Sequence, residues 1–260
     1  MALITVLMLV AVMGALTATT LEVMSRSVAM AANGRSAMQG HHYARGAGLI
    51  VAERVAALKA ASPDRLTLAG GWSDTPVTVP TATGSITIRL SDASHCFNLN
   101  SVVSGAAPNG LILNPLGVEQ YVALAQAVGV DAARARANAI TLADYIDTDP
   151  FPQGGGAEDA AYRSAAIPHL TPNGLIAHAS ELLAVSGVRA EDYAAMRPYL
   201  CALGDTGAAI INLNTMGAGD APLLAMLAPG QISAAQARQA VAARPDTGWQ
   251  DREAFWTQPA

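Results

Sequence analysis

The sequence predicts an α+β protein in which one long amino-terminal helix, half membrane-spanning and half soluble, packs on a small antiparallel sheet and carries a large inserted α-helical domain. Three observations point to it. Residues 1–21 hold no charged side chain and residues 22–61 hold no proline; two short runs between 77 and 91 alternate apolar with polar residues; and apolar residues recur at helical spacing from Asn114 to Leu203.

The first element runs from Met1 to Leu21. As a helix it extends roughly 31 Å, the thickness of a bilayer's hydrocarbon core. Nothing basic precedes the apolar core, unlike a secretory signal peptide. Beyond the span, Val28, Ala32, Ala47, Ile50, Val51, Val55 and Leu58 recur at spacings of three, four and seven, so the helix continues through Ala61 into a soluble region. Arg26, Arg35 and Arg45 lie after the span, where the positive-inside rule would place the cytoplasm. Removal of a short basic leader ahead of Met1 resolves that conflict; an ordinary single-span anchor is the other reading of the same run.

Val77 and Val79 flank Thr78, and Ile86, Ile88 and Leu90 alternate with Thr87, Arg89 and Ser91. Pro80 to Gly84 supplies a turn, which makes the pair an antiparallel hairpin packed on the long helix. Asn114 before Pro115 is a helix cap followed by a first helical residue, and Ala125, Val128 and Ile140 continue the helical pattern. Ala208 to Leu213 returns to strand character, and Ser233 with Gln236 fits a capping box that opens a further helix. The expected organisation is therefore a membrane half (1–21), a soluble half of the same helix (22–61), a sheet domain with a carboxyl-terminal helical segment (62–100 and 208–260) and an inserted helical domain (101–207).

With 15 basic against 20 acidic side chains and a net charge of -5, the chain lacks the clustered cations that nucleic-acid phosphates require. Its histidines, His41, His42, His95, His169 and His178, form no His-Glu-x-x-His pattern. No serine sits in a Gly-x-Ser-x-Gly elbow, and the glycine triplet at 154–156 is not followed by Lys-Ser or Lys-Thr. The chain is not read as an enzyme. From Asn212 onward it resembles a helix-hairpin-helix module, which grips DNA through backbone amides and basic groups. Here Arg238, Arg244 and Arg252 are set against Asp220, Asp246, Asp251 and Glu253, so the segment is read as a protein-packing use of that arrangement. Cys96 and Cys201 match no zinc or Cys-x-x-Cys spacing; one disulfide and two buried thiols remain open.

Two stretches echo each other: Phe97-Asn98-Leu99-Asn100-Ser101 and Ile211-Asn212-Leu213-Asn214-Thr215. Asparagine suits such strand ends because its side chain satisfies backbone groups where a strand turns into a cap, so two ordinary strand-to-helix junctions read equally well. The candidate site is the acidic loop from Asp144 to Asp159. It brings Asp147, Asp149, Glu158 and Asp159 around Pro150, Pro152 and three glycines. Phe151 and Pro152 stand where an EF-hand needs a ligand and a glycine, and on spacing alone the loop is a solvated acidic one.

The opening Met1-Ala2-Leu3-Ile4-Thr5 resembles the mature start of type IV pilin-like proteins, in which a prepilin peptidase cleaves the leader and methylates the new amino terminus. Most such proteins carry a glutamate at the fifth position; Thr5 resembles the K-type minor pseudopilins of bacterial type II secretion, which lack it. The two Asn-Leu-Asn stretches, Tyr145 to Asp149, Gly156 to Asp159 with Tyr162, and Asn173-Gly174 with Ser180-Glu181-Leu182 are similar to the same family, over nearly the whole chain. The resemblance implies a calcium ion in the helical domain, held by Asp147, Asp149, Glu158 and Asp159, and processing with N-methylation at Met1. It also implies I-type and J-type minor pseudopilins and other pseudopilins as partners. The implied location is a single span in the bacterial inner membrane, with the soluble domain in the periplasm at the tip of the pseudopilus. A helix-hairpin-helix DNA-binding membrane protein and an unrelated single-span periplasmic protein are the alternatives.

Overall fold

The computed structural model describes all residues except Met1, Asp74, Asn109, Asp246 and 258–260. Two compact units form, one of Met1–Pro63 with Thr75–Leu90 and one of Asp64–Asp74 with Ser91–Ala260.

The first unit is built on α1, Ala2–Ala61, none of whose residues is buried. It is long and apolar enough at its amino-terminal end to cross a membrane. The hydroxyls in that stretch are absorbed by the helix itself: Thr17 donates to the Met13 carbonyl at 2.7 Å and Thr20 to the Leu16 carbonyl at 2.7 Å, so their polar atoms need no water in hydrocarbon. β1, Val77–Thr81, and β2, Gly84–Ile88, form the expected hairpin, with Val79 opposite Ile86. Gln39 donates to the Thr83 hydroxyl at 3.1 Å, and the Tyr43 hydroxyl lies 3.2 Å from it, fixing the hairpin turn against α1.

The second unit is helical. Its strands are two residues each: β3, Phe97–Asn98; β4, Val103–Ser104; and β5, Ile112–Leu113, which pairs antiparallel with β4. Asn114 accepts from the Leu116 amide and Pro115 opens α2, Pro115–Ala127, as the sequence predicts. Asp131 caps α3, Ala132–Ile146, by accepting from the Arg134 amide at 3.0 Å. After the short α4, Asp159–Arg163, come α5, Ala190–Met196, and β6, Leu200–Cys201, which pairs parallel with β3. A Cys96–Cys201 disulfide closes this pair across 105 residues. The chain then forms α6, Ala221–Leu227; α7, Ala234–Ala242, opened by the Ser233–Gln236 capping box; and α8, Arg252–Trp256.

The two Asn-Leu-Asn stretches hold the unit together in the same way. In each, the first asparagine accepts from the amide of the second: Asn98 from Asn100 at 3.2 Å, Asn212 from Asn214 at 3.0 Å. In each, the hydroxyl that follows sits against the first asparagine's carbonyl: Ser101 donates to it at 2.6 Å, and the Thr215 hydroxyl lies 3.1 Å from it. The second asparagine then grips both backbone groups of one distant residue, Ile176 for Asn100 and Trp249 for Asn214. Six residues beyond each gripped position stands a buried apolar side chain, Leu182 and Phe255. The unit is thus a tandem repeat of one design, two helices tied by an Asn-Leu-Asn stretch to a distant backbone segment, with the acidic loop inserted in the first copy.

The domain boundaries differ from the sequence expectation. Residues 208–260 join the helical unit rather than the hairpin, because α6 buries Leu223 and Leu224 completely and packs on α2. The segment Ala208–Leu213 forms no strand. The Asn212 carbonyl is already occupied by Thr215 and the His95 ring, and its side-chain amide donates to the Leu66 carbonyl at 3.0 Å.

Candidate metal centre

The centre begins at the carboxyl end of α3. Asp144 and Asp147, three residues apart, share one face of its last turn, and Asp147 closes the helix with its amide on the Ala143 carbonyl at 2.8 Å. The chain is then pinned at Thr148, whose amide and hydroxyl both donate to the Leu111 carbonyl, and turned at Asp149, which accepts from the Phe151 amide at 2.9 Å. It returns over Asp144. The Gln153 amide lies 3.1 and 3.3 Å from the two Asp144 oxygens, and Gly156 passes so close that an added Cβ would stand 1.8 Å from Asp144 Oδ2. Any larger residue there would displace the Asp144 carboxylate. Gly156→Ala is therefore expected to lower stability by about 1–3 kcal/mol, the usual cost of overpacking, measurable by urea unfolding of the full chain.

This path sets Glu158 at the start of α4, opposite Asp147 and Asp149. Asp147, Asp149 and Glu158 each place one oxygen within 4.8 Å of the others. Both Asp147 oxygens and Glu158 Oε1 are buried and accept no hydrogen bond. Burial, reinforced by the charges of Asp149 and Asp144, pushes the Asp147 carboxyl up to about 7. Burial and the neighbouring carboxylates push Glu158 up to about 7 as well, and burial raises Asp144 to about 6. Buried acceptors without donors, raised towards neutrality by burial and by one another's charge, are what an oxygen-seeking cation would satisfy.

Asp159, expected as a fourth ligand, does not join. Its Oδ1 accepts from the Thr171 amide and hydroxyl at 3.1 and 2.9 Å, and its Oδ2 pairs with Arg163 at 3.0 Å. Those bonds hold its carboxyl below the usual range, away from the cluster. Asp144, expected as the start of the loop and not as a ligand, organises the loop by accepting from the Gln153 amide; the signal for that was its three-residue spacing to Asp147 at a helix end. Behind them Tyr162 packs on Tyr145 at 5.3 Å and on His169 at 5.0 Å, and its hydroxyl accepts from the Ser186 amide, so the cluster rests on an aromatic floor. His41 and His42 lie exposed on α1, far from any such arrangement in sequence and outside this unit. Met1 lies outside the described residues. Of the basic side chains in the carboxyl-terminal repeat, Arg244 is turned onto the Met216 carbonyl rather than outward.

Two family models described as "Type II secretion system (T2SS), protein K" match residues 95–205 and 211–260. Their boundary falls between the two repeats. The chain is 32% identical over 259 residues to type II secretion system protein K of Klebsiella pneumoniae, covering 100% of this chain and 79% of the relative. It is 31% identical over 253 residues to the protein of the same name from Pectobacterium carotovorum subsp. carotovorum, covering 97% and 77%. Among solved structures, a chain of the GspK-GspI-GspJ complex from the enterotoxigenic Escherichia coli type 2 secretion system superposes with a TM-score of 0.74. That match has 30% sequence identity and covers 87% of this chain and 77% of the other.

Proposed function

The chain belongs to the type II secretion system protein K family, a minor pseudopilin of that system and not an enzyme, and from that premise we propose that it is the tip subunit of the pseudopilus. The observation that carries the proposal is the superposition, over most of both chains, on a structure that contains GspI and GspJ. By that likeness its partners are the I-type and J-type minor pseudopilins. α1 anchors the protein in the membrane, and the exposed apolar side chains along it, among them Met30, Met38, Leu49 and Ile50, offer other pilin-like helices a packing surface. Thr5, in place of a glutamate, and a bulky second unit of Asp64–Asp74 with Ser91–Ala260, which would obstruct a subunit stacked above it, both favour an end position over a repeating one. The inner membrane as the site of anchoring, the periplasm as the site of the helical unit, and leader removal with N-methylation at Met1 complete the proposal.

Calcium is the cation proposed for Asp147, Asp149 and Glu158, because all the groups gathered there are hard oxygen donors. Its part is structural. It would neutralise three crowded carboxylates and hold the loop between α3 and α4 closed. Co-expression of the full chain with I-type and J-type partners, followed by purification in detergent and light scattering, tests the assembly. A one-to-one-to-one complex is expected, and a chain that purifies alone in every combination sinks the tip assignment.

A further inference from the structure

Outside the acidic loop, one partly buried titratable group joins the two repeats. His95 precedes β3 of the first copy, and its ring sits in a cavity of about 420 Å³ lined by Asp92, Thr215, Asp220, Ser73, Ser91 and Pro198. Its side chain is 10% exposed, on the wall of that open pocket, and the residue is partly buried. Nδ1 lies 3.3 Å from Asp220 Oδ2, just ahead of α6 in the second copy. Nε2 lies 3.1 Å from the Asn212 carbonyl and 3.0 Å from the Thr215 hydroxyl, which itself donates to Asp92 Oδ2 at 2.6 Å. A carboxylate and a carbonyl only accept, so both ring nitrogens face acceptors. A neutral imidazole has one N–H and can serve one of them; the imidazolium serves both.

We propose that protonated His95 is a pH-sensitive clasp between the two helical repeats, closed while both ring nitrogens donate and loosened when the ring loses its proton. Among the described residues, the charged groups that face it are Asp92 from its own segment and Asp220 from the segment leading into α6. From the other packed elements, Arg244 is committed to the Met216 carbonyl and the Tyr199 hydroxyl donates to the Gly219 carbonyl, so neither competes for the ring. Burial alone would lower the pKa of His95, but its bonds to Asp220 and Asn212 and the charge of Asp92 outweigh that and raise it. A raised histidine stabilises the folded state fully below its ordinary value of about 6.5, and the contribution is lost as pH climbs through the raised value. Asp92 and Asp220 are lowered by their bonds against the opposing effect of burial, so their contribution is lost only in acid, below the ordinary carboxylate range. The clasp therefore loosens as pH climbs above the ordinary histidine value of about 6.5.

The test is amide hydrogen exchange of the full chain in detergent at pH 6 and pH 8, corrected for intrinsic exchange, with calcium saturating so that the acidic loop does not contribute. Protection of residues 212–220 is expected to fall several-fold between the two pH values in the wild type and to change little in His95→Gln. Asp220→Asn supplies a second variant should His95→Gln fold poorly, and it too is expected to flatten the pH response. Equal wild-type protection at both pH values, or a variant that keeps the wild-type response, overturns the clasp.

Discussion

Removal of divalent cations from the full chain in detergent is expected to lower its unfolding temperature by about 5–10 °C, and excess calcium to restore it. A ligand at about a hundredfold over its dissociation constant stabilises the folded state by about 2.7 kcal/mol, and in a folded unit of this size each kcal/mol moves the transition by about 2–4 °C. The direction follows from the cluster. Without an ion, both Asp147 oxygens and Glu158 Oε1 are buried with no hydrogen-bond partner, and the two carboxyls are pushed up to about 7. A carboxyl whose folded value lies above its unfolded one favours folding only while it is protonated. The ion-free chain should therefore lose stability as pH rises from the ordinary carboxylate range to about 7, and calcium, by replacing those protons, should remove the loss. Asp147→Asn separates this reading from a merely polar pocket: it relieves the repulsion, so the variant should be at least as stable as ion-free wild type yet insensitive to calcium. A variant that still gains several degrees from calcium would show the ion to be held elsewhere.

How far the sequence alone reached depends on the range of the interaction that decided each feature. α1 was legible because its signals are local: an uncharged run, then forty residues without proline. The hairpin was legible from alternation and a turn, and α2 and α7 from their caps. The place of residues 208–260 was not, since periodicity in α6 and α7 reports that an apolar face exists and says nothing of which element covers it. The Asn-Leu-Asn echo was visible in the sequence, yet its meaning lies in partners 76 and 35 residues away, Ile176 and Trp249. At the candidate site the acidic residues were found, but adjacent Glu158 and Asp159 were taken together. Neighbours at the start of a helix point about 100° apart, so one cation cannot readily collect both, and Thr171 and Arg163 collect Asp159 instead.

The tandem design makes a paired prediction with a large effect. Asn100 is fully buried, accepts from the Ile176 amide at 3.0 Å and donates to the carbonyls of Ile176 and Leu203 at 2.9 and 2.7 Å. Asn100→Ala leaves those backbone groups without partners in the interior, at about 1–3 kcal/mol for each group left unsatisfied, and should cost about 3–5 kcal/mol by urea unfolding. Asn214→Ala breaks the equivalent grip on Trp249, which has two bonds, and should cost about 2–4 kcal/mol. The two losses should differ in kind. The segment that Asn100 holds at Ile176 closes the excursion containing Asp147, Asp149, Glu158 and the Asp159–Thr171 bond, so loosening it lets the carboxylates separate. Asn100→Ala should therefore bind calcium several-fold more weakly, by calorimetry or by the calcium-induced shift in unfolding. Asn214→Ala, equally placed in the copy that has no acidic insertion, should keep the wild-type calcium response despite its lower stability. If both variants lose that response in proportion to their destabilisation, the cation site depends on the stability of the whole unit. If only Asn100→Ala loses it, the first repeat acts as the frame of the site and the second copy has no part in cation binding.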